Sequence, residues 1–161
     1  MSLHISPLDL HEPSHTSALI DLLDHYARDP MGGGTGLSVH ARTHLVEALR
    51  LRADYFAHLA WLEGEAVGLI NCFEGFSSFA ARPLLNVHDL AVRREHRGKG
   101  IGRALLAAAE AQARARGCCK LTLEVLDRNA VAMSAYLGFG FAPYALDPAA
   151  GSAVFLQKLL D

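Results

Sequence analysis

The run from Leu84 to Arg116 constrains this 161-residue chain more than any other stretch. Leu84 to Val92 is apolar and β-branched, as a buried strand is, and it leads into Arg93 and Arg94. Arg97-Gly98-Lys99-Gly100-Ile101-Gly102 follows, with three alternate glycines that let the backbone turn tightly and bring its N–H groups near a ligand. A helix then begins at the same place, with unpaired N–H groups and the positive end of its dipole. Arg93, Arg94, Arg97, Lys99 and Arg103 surround the turn, and five cations so close repel one another unless an anion lies among them. The pattern predicts a strand, turn and helix that hold a polyphosphate. The plainer reading is a glycine turn that serves close helix–sheet packing, with arginines as a solvated rim.

The spacing separates the known phosphate turns. G-x-G-x-x-G read from Gly100 places Leu105 where the third glycine belongs. The Walker form needs Ser or Thr after the lysine, and Lys99 is followed by Gly100. The segment resembles instead the acyl-CoA site of the GNAT (Gcn5-related) N-acetyltransferases, Arg or Gln, two residues, Gly, one residue, Gly or Ala, filled here by Arg97, Gly100 and Gly102. Downstream, Asn129, Ala132, Tyr136, Gly140 and Phe141 resemble that family's N-x-x-A-x-x-x-Y-x-x-x-G-F helix and turn. The resemblance runs from about Ala53 to the C-terminus. Without it, Tyr136 reads as a core tyrosine with a satisfied hydroxyl.

In chain order, Leu3 to Leu8 predicts a first strand. Ala18, Leu19, Leu22, Leu23 and Tyr26 predict a helix from about Ser14 that stops before Asp29-Pro30. Met31 to Gly36 is the most flexible stretch by composition, a loop or, by the resemblance, a mobile lid over the acceptor site. Ser38 caps a second helix that runs to about Arg50. Tyr55 to Leu62, the turn Glu63-Gly64 and Ala66 to Phe73 predict a hairpin holding Trp61. Glu74 to Pro83 reads as a long connection, in which Phe76 and Phe79 either extend the core or line the acceptor pocket. After the central helix and its stop at Gly117, Leu121 to Leu126 predicts a fifth strand parallel to the fourth. The Tyr136 helix follows, then a closing strand over 152–159, with 141–144 as a further candidate. The fold class is α/β, a mixed and mostly antiparallel sheet of six to seven strands with about four helices. Length predicts a single domain over 1–161.

Half of the residues are hydrophobic, a fifth are charged, and the formal net charge is −2. That mild acidity argues against a general nucleic-acid binder. Cys72, Cys118 and Cys119 have neither zinc nor redox spacing, and adjacent Cys118 and Cys119 are badly placed to bridge, so a reducing cytoplasm is expected. Met1 to Leu10 lacks the pattern of a signal peptide, and no window approaches a membrane span. His11 and His15, and His40 and His44, stand four apart but lack further ligands, so they read as solvated helix histidines and no metal is expected.

The resemblance implies splayed fourth and fifth strands, with acetyl-CoA as cosubstrate in the gap. The backbone of Leu90, Ala91 and Val92 then binds pantetheine. The amides of Arg97, Gly98, Lys99, Gly100, Ile101, Gly102 and Arg103 hold the pyrophosphate, and Asn129 contacts the pantetheine end. Tyr136 matches the general acid. The polyamine-acetylating branch has Glu-Asp in the fourth strand where this chain has His88-Asp89. Histidine titrates near ~6.5 and suits proton acceptance, so His88 is the favoured base and Asp89 the next, with a water relay as a third route. Strand alternation sends these two side chains to opposite faces unless a bulge intervenes. An acyl-cysteine route through Cys118 or Cys119 is disfavoured, since no histidine pattern adjoins them.

The expected activity is acetyl transfer to a primary amine of a small molecule or peptide, by direct attack in a ternary complex. The alternatives are an inactive acyl-CoA-binding regulatory module and a bare interaction scaffold. The family often forms homodimers. Acidic residues near the acceptor loops are scattered, with Asp29 and Glu74 the candidates and Arg82 beside them.

Overall fold

The computed structural model describes residues 2–160. Contacts divide the chain into two units, Met1–Leu123 and Glu124–Asp161.

The first unit holds a five-stranded sheet in sequence order: β1 (Leu3–Pro7), β2 (Tyr55–Leu62), β3 (Glu65–Ser77), β4 (Arg82–Val92) and β5 (Leu121–Leu123). Neighbours are antiparallel except for parallel β4 and β5. Three helices join them, α1 (Pro13–Arg28), α2 (Val39–Arg50) and α3 (Ile101–Ala115). The start of α2 and the end of α3 have local causes. Ser38 accepts the Ala41 N–H at the start of α2, and Gly117, at φ 73°, turns the chain after α3. The tip Glu63-Gly64 has both residues at positive φ, which matches the twist of a two-residue hairpin.

One face of the sheet packs Leu59 and Leu69 against Leu19, Leu22 and Leu23 of α1 and Leu49 of α2. The other receives α3 closely at Gly68, where an added Cβ would come within 3.0 Å of Leu105 Cδ1 and 3.1 Å of Ile101 Cγ2. Ile101, Leu105, Leu106, Ala109 and Ala113 are the buried residues of α3, a helical stripe.

The structure departs from the sequence expectations in four places. The sheet has five strands rather than six or seven, and β5 ends at Leu123 instead of Leu126. No strand forms over 141–144 or 152–159; Val154, Phe155, Leu156 and Leu159 are exposed there. A short apolar run suits a strand but does not supply its ladder partner. Glu74 to Pro83 is not a long connection, because β3 runs to Ser77 and β4 starts at Arg82, and the tip residue Ala81 has φ 51°. Phe76 and Phe79 on this ribbon are 67% and 90% exposed, so neither extends the core. Finally, the glycine run after α1 is pinned. Asp29 accepts from the Met31 N–H, its carbonyl from Gly32 and Gly34, and Asp24 accepts from Leu37. A Cβ on Gly32 would lie 2.0 Å from the Tyr26 carbonyl oxygen, so glycine there answers a close approach.

Among the described residues of the second unit there is one α-helix, α4 (Ala130–Phe139), which Asn129 caps by accepting the Ala132 N–H at 3.2 Å. Among the described residues no helix is long and apolar enough to cross a membrane.

Candidate functional site

The ladder between β4 and β5 pairs Leu85 with Leu121, Asn86 with Thr122 and Val87 with Leu123, and then stops. β4 itself runs on to Val92, so His88–Val92 extend past the last β5 pair. Just where the ladder ends, β4 carries a bulge. Asn71 pairs with Asp89 while the next residue of β3, Cys72, pairs with Val87, which leaves His88 as the extra residue. The His88 ring meets the Phe73 ring edge-on at 5.3 Å, and Phe73 lies on the same face of β3 as Asn71, two residues along. The bulge therefore sets His88 and Asp89 on one face, against the opposite faces that plain alternation would give. His88 is exposed and Asp89 half-buried.

Beyond Val92 the chain makes one 3-10 turn, Arg94–His96, and enters the glycine turn. Gly98 and Gly100 have φ of 74° and 80°, which only glycine adopts at no steric cost. Gly100 is the N-cap of α3 and no side chain caps that first turn. A Cβ added at Gly98 or Gly100 would meet nothing within 4 Å, and one at Gly102 would meet only Leu90 Cδ2 at 4.0 Å. Helix–sheet packing does not explain these glycines; the glycine that serves such packing is Gly68. The turn presents open space over backbone N–H groups.

The cations around it are less free than repulsion arguments assume. Arg97 donates from Nε to the Val92 carbonyl at 3.0 Å and from its terminal nitrogen to Asp29 at 3.1 Å. Arg94 lies 3.7 Å from the same carboxylate. Arg93 donates to the Ala66 carbonyl and stands 3.6 Å from Glu65. At least three of the five are thus held by protein groups, which relieves the repulsion without a ligand. The Met31 N–H and then Arg97 hold the Asp29 carboxyl below its ordinary range. Lys99 and Arg103 are exposed.

Tyr136, in α4, is half-buried and packs its ring edge-on against Phe141 at 6.0 Å. Its carbonyl accepts from Gly140 and Phe141, and Gly140 has φ 121°, so the glycine of this motif forms the turn that brings Phe141 back. Asn129 spends its side-chain oxygen on the α4 cap.

The candidate acidic groups of the acceptor loops are tied. Asp29 holds Arg94 and Arg97, Glu74 meets Arg116 at 2.5 Å, and Arg82 donates to the Gly117 carbonyl. Among the described residues no group of three His, Cys, Asp or Glu is placed to hold a metal. The exposed His40 and His44 rings stack at 4.3 Å, whereas His15 is half-buried, accepting the Asp9 N–H and packing on Trp61. Burial, then the Asp89 charge, pushes the Cys72 thiol up to about 12, and burial first raises Cys118 also. Neither is an activated thiol.

Three residues of the region went unmarked in sequence or were given another role. Asp29 read as a helix stop and a loose acid. Tyr55 and Asn71 were unmarked; Asn71 donates to Asp89 and accepts from Tyr55. The signal was available in Asn71, a polar side chain inside the apolar run Val67 to Phe73, since a buried amide must find partners.

A family model described as the acetyltransferase (GNAT) family matches residues 18–141. The chain is similar to the streptothricin acetyltransferase of Streptomyces lavendulae, with 45% identity over 87 residues. That stretch covers 52% of this chain and 46% of the relative, so the match spans about half the relative's length. Among solved structures, a probable acetyltransferase superposes with a TM-score of 0.79 at 20% identity, covering 100% of this chain and 99% of that one. An aminoglycoside acetyltransferase from an uncultured soil metagenomic sample, solved with sisomicin, gives a TM-score of 0.79 at 19% identity, over 99% and 97%. These two share the fold.

Proposed function

Given that the chain belongs to the acetyltransferase (GNAT) family, we propose that it transfers an acetyl group from acetyl-CoA to a primary amine of a small molecule or peptide. The observation that carries this reading is the turn at Gly98–Gly102, whose glycines face open space at the uncapped start of α3. Backbone amides from Arg97 to Arg103 suit a pyrophosphate, and they need no side chain to do so. The extension of β4 past β5 suits a pantetheine arm lying along Leu90, Ala91 and Val92 and bonded to the backbone of Leu90 and Val92. The N–H and C=O of Ala91 face β3, as those of Arg93 do, so Leu90 and Val92 are the residues that offer backbone groups on the open side, where Arg97 donates to the Val92 carbonyl. Asn129 is assigned to the donor by its motif alone.

Acetyl-CoA supplies a thioester, and the residues supply proton management around it. An alkyl ammonium has a reference pKa near ~10.4, so a base must take its proton before it attacks. His88 fills that role from the β4 bulge, with Asp89 beside it on the same face. A β4 N–H near Leu90 meets the developing oxyanion. Tyr136 gives a proton to the leaving thiolate, an assignment that rests on its motif. Direct attack needs no acyl-enzyme, and burial raises the Cys72 and Cys118 thiols instead of activating them. The small-molecule acceptors named for the relative and the solved neighbour, streptothricin and an aminoglycoside, make an antibiotic-like amine the first class to try.

Calorimetric titration with acetyl-CoA tests the donor half, beside a variant carrying Arg97→Glu and Gly100→Glu. Binding by the wild type that is lost in the folded variant, followed by acetyl transfer in an amine panel, is the expected result. A folded wild type that binds no acetyl-CoA refutes the reading. Binding without transfer to any amine would turn it into a regulatory module.

A further inference from the structure

Asn71 is 3% exposed in the middle of the sheet, and an amide so placed is costly unless both its donor and its acceptor are used. Both are used. Tyr55 donates its hydroxyl proton to Asn71 Oδ1 at 2.7 Å, and Asn71 Nδ2 donates to Asp89 Oδ2 at 3.1 Å. The three residues come from β2, β3 and β4 and share a face, because Tyr55 pairs with Phe73, Ala57 with Asn71, and Asn71 with Asp89. The direction of the chain is set at its Asp89 end. An ionised carboxylate only accepts, so Asn71 must turn its NH₂ toward Asp89, and its carbonyl then requires a donor from Tyr55. Burial, then the Asp89 charge, pushes the Tyr55 phenol up from its ordinary value, which keeps it a donor.

A network of this kind could do no more than tie three strands together. Two observations give it a further purpose. Asp24, Asp29 and Asp54 each end on one or two arginines, whereas among the described residues Asp89 has no cationic partner. A half-buried carboxylate held in place without a cation is a binding group for one. The bulge, moreover, puts His88 next to Asp89 on that face, so a cation arriving at Asp89 arrives beside a proton acceptor.

We propose that Tyr55 and Asn71 are positioning residues that hold the Asp89 carboxylate as the recognition group for the ammonium of the acceptor. This rests on the acetyl-transfer function proposed above and adds the group that reads the acceptor's charge. The ammonium docks on Asp89, its proton passes to His88, and the neutral amine is left to attack. Charge is conserved: one ammonium and one neutral imidazole become one amine and one imidazolium.

The test is a double-mutant cycle on kcat/KM with acetyl-CoA as donor and streptothricin and sisomicin as probe amines. Asn71→Leu keeps the volume and removes both hydrogen bonds. It raises KM for the amine by about tenfold, the loss of one hydrogen bond to a charged group, and leaves KM for acetyl-CoA unchanged. In an Asp89→Asn background the same substitution adds nothing further, because its effect runs through Asp89. Tyr55→Phe removes one hydroxyl and is the milder variant if Asn71→Leu folds poorly; it moves the amine KM the same way by a smaller factor. An Asn71→Leu effect that is equal in both backgrounds, or that falls on acetyl-CoA as much as on the amine, shows a purely structural network and overturns the inference alone. A wild type that binds acetyl-CoA but acetylates neither probe overturns the acceptor class and this inference together, and one that binds no acetyl-CoA overturns the function on which they rest.

Discussion

Replacing Gly100 and Gly102 separately by alanine distinguishes backbone conformation from packing as the reason for the glycine turn. Gly100 stands at φ 80° with nothing within 4 Å of an added Cβ, so the whole cost of Gly100→Ala is the left-handed backbone, about 1–2 kcal/mol. For a chain of this size that lowers Tm by about 2–8 °C. Gly102 is the second residue of α3, has no positive φ, and its nearest new neighbour is Leu90 Cδ2 at 4.0 Å. Gly102→Ala therefore gains up to about 1 kcal/mol of helix propensity, and Tm rises by up to about 4 °C. Acetyl-CoA at a hundred times its Kd adds about 2.7 kcal/mol to a binding-competent protein. That increment is retained in Gly102→Ala, where the family motif admits alanine, and shrinks in Gly100→Ala, whose turn is displaced. Differential scanning calorimetry with and without acetyl-CoA reads all four quantities. If both variants lose Tm equally, or if Gly100→Ala loses none, the glycines are there for another reason and the conformational argument fails.

Two further outcomes are expected. His88→Gln lowers kcat by about 10²–10⁴-fold, the usual contribution of a positioned base, and abolishes the low-pH limb of the rate profile; a profile of unchanged shape assigns the base elsewhere. Hydrogen bonds from Arg28 and the Leu37 N–H lower the Asp24 carboxyl to about 2. A carboxyl depressed in the folded state stabilises the fold above its unfolded value of 3.8 and loses that contribution as pH falls toward 2. Acid unfolding of Asp24→Asn should accordingly lose less stability across that window than the wild type, and parallel curves would remove Asp24 from the pH dependence.

Local order was legible where a single stretch of chain decides it. Pro30 ends α1, Ser38 starts α2, Gly117 follows α3, and the strand, turn and helix from Leu84 stand as read. What was hidden depends on partners far away in sequence. The bulge at His88 is a property of the β3–β4 pairing, and no residue of β4 alone announces that one position will be left over. Asn71 was visible as a polar residue in an apolar run, but Tyr55 and Asp89 lie 16 and 18 positions from it. The segment over 152–159 holds the short apolar run Ala153 to Leu156, as a strand can, and forms none. Alternation and composition are local; pairing is not.

The same distinction changes the argument for an anion at the turn. From sequence, five cations around three glycines demanded a counter-charge, and a ligand was the natural one. In the structure Asp29, at the end of α1 and 68 positions from Arg97, already supplies it for Arg97 and Arg94, and Glu65 does so for Arg93. Arg97 also ties the turn to the end of β4 through the Val92 carbonyl. The case for a polyphosphate then rests on the backbone: left-handed glycines, an uncapped helix start and clear space above Gly98, Gly100 and Gly102. That is the stronger basis, because amides fixed by the fold pay little entropy on binding, whereas an arginine must first leave Asp29.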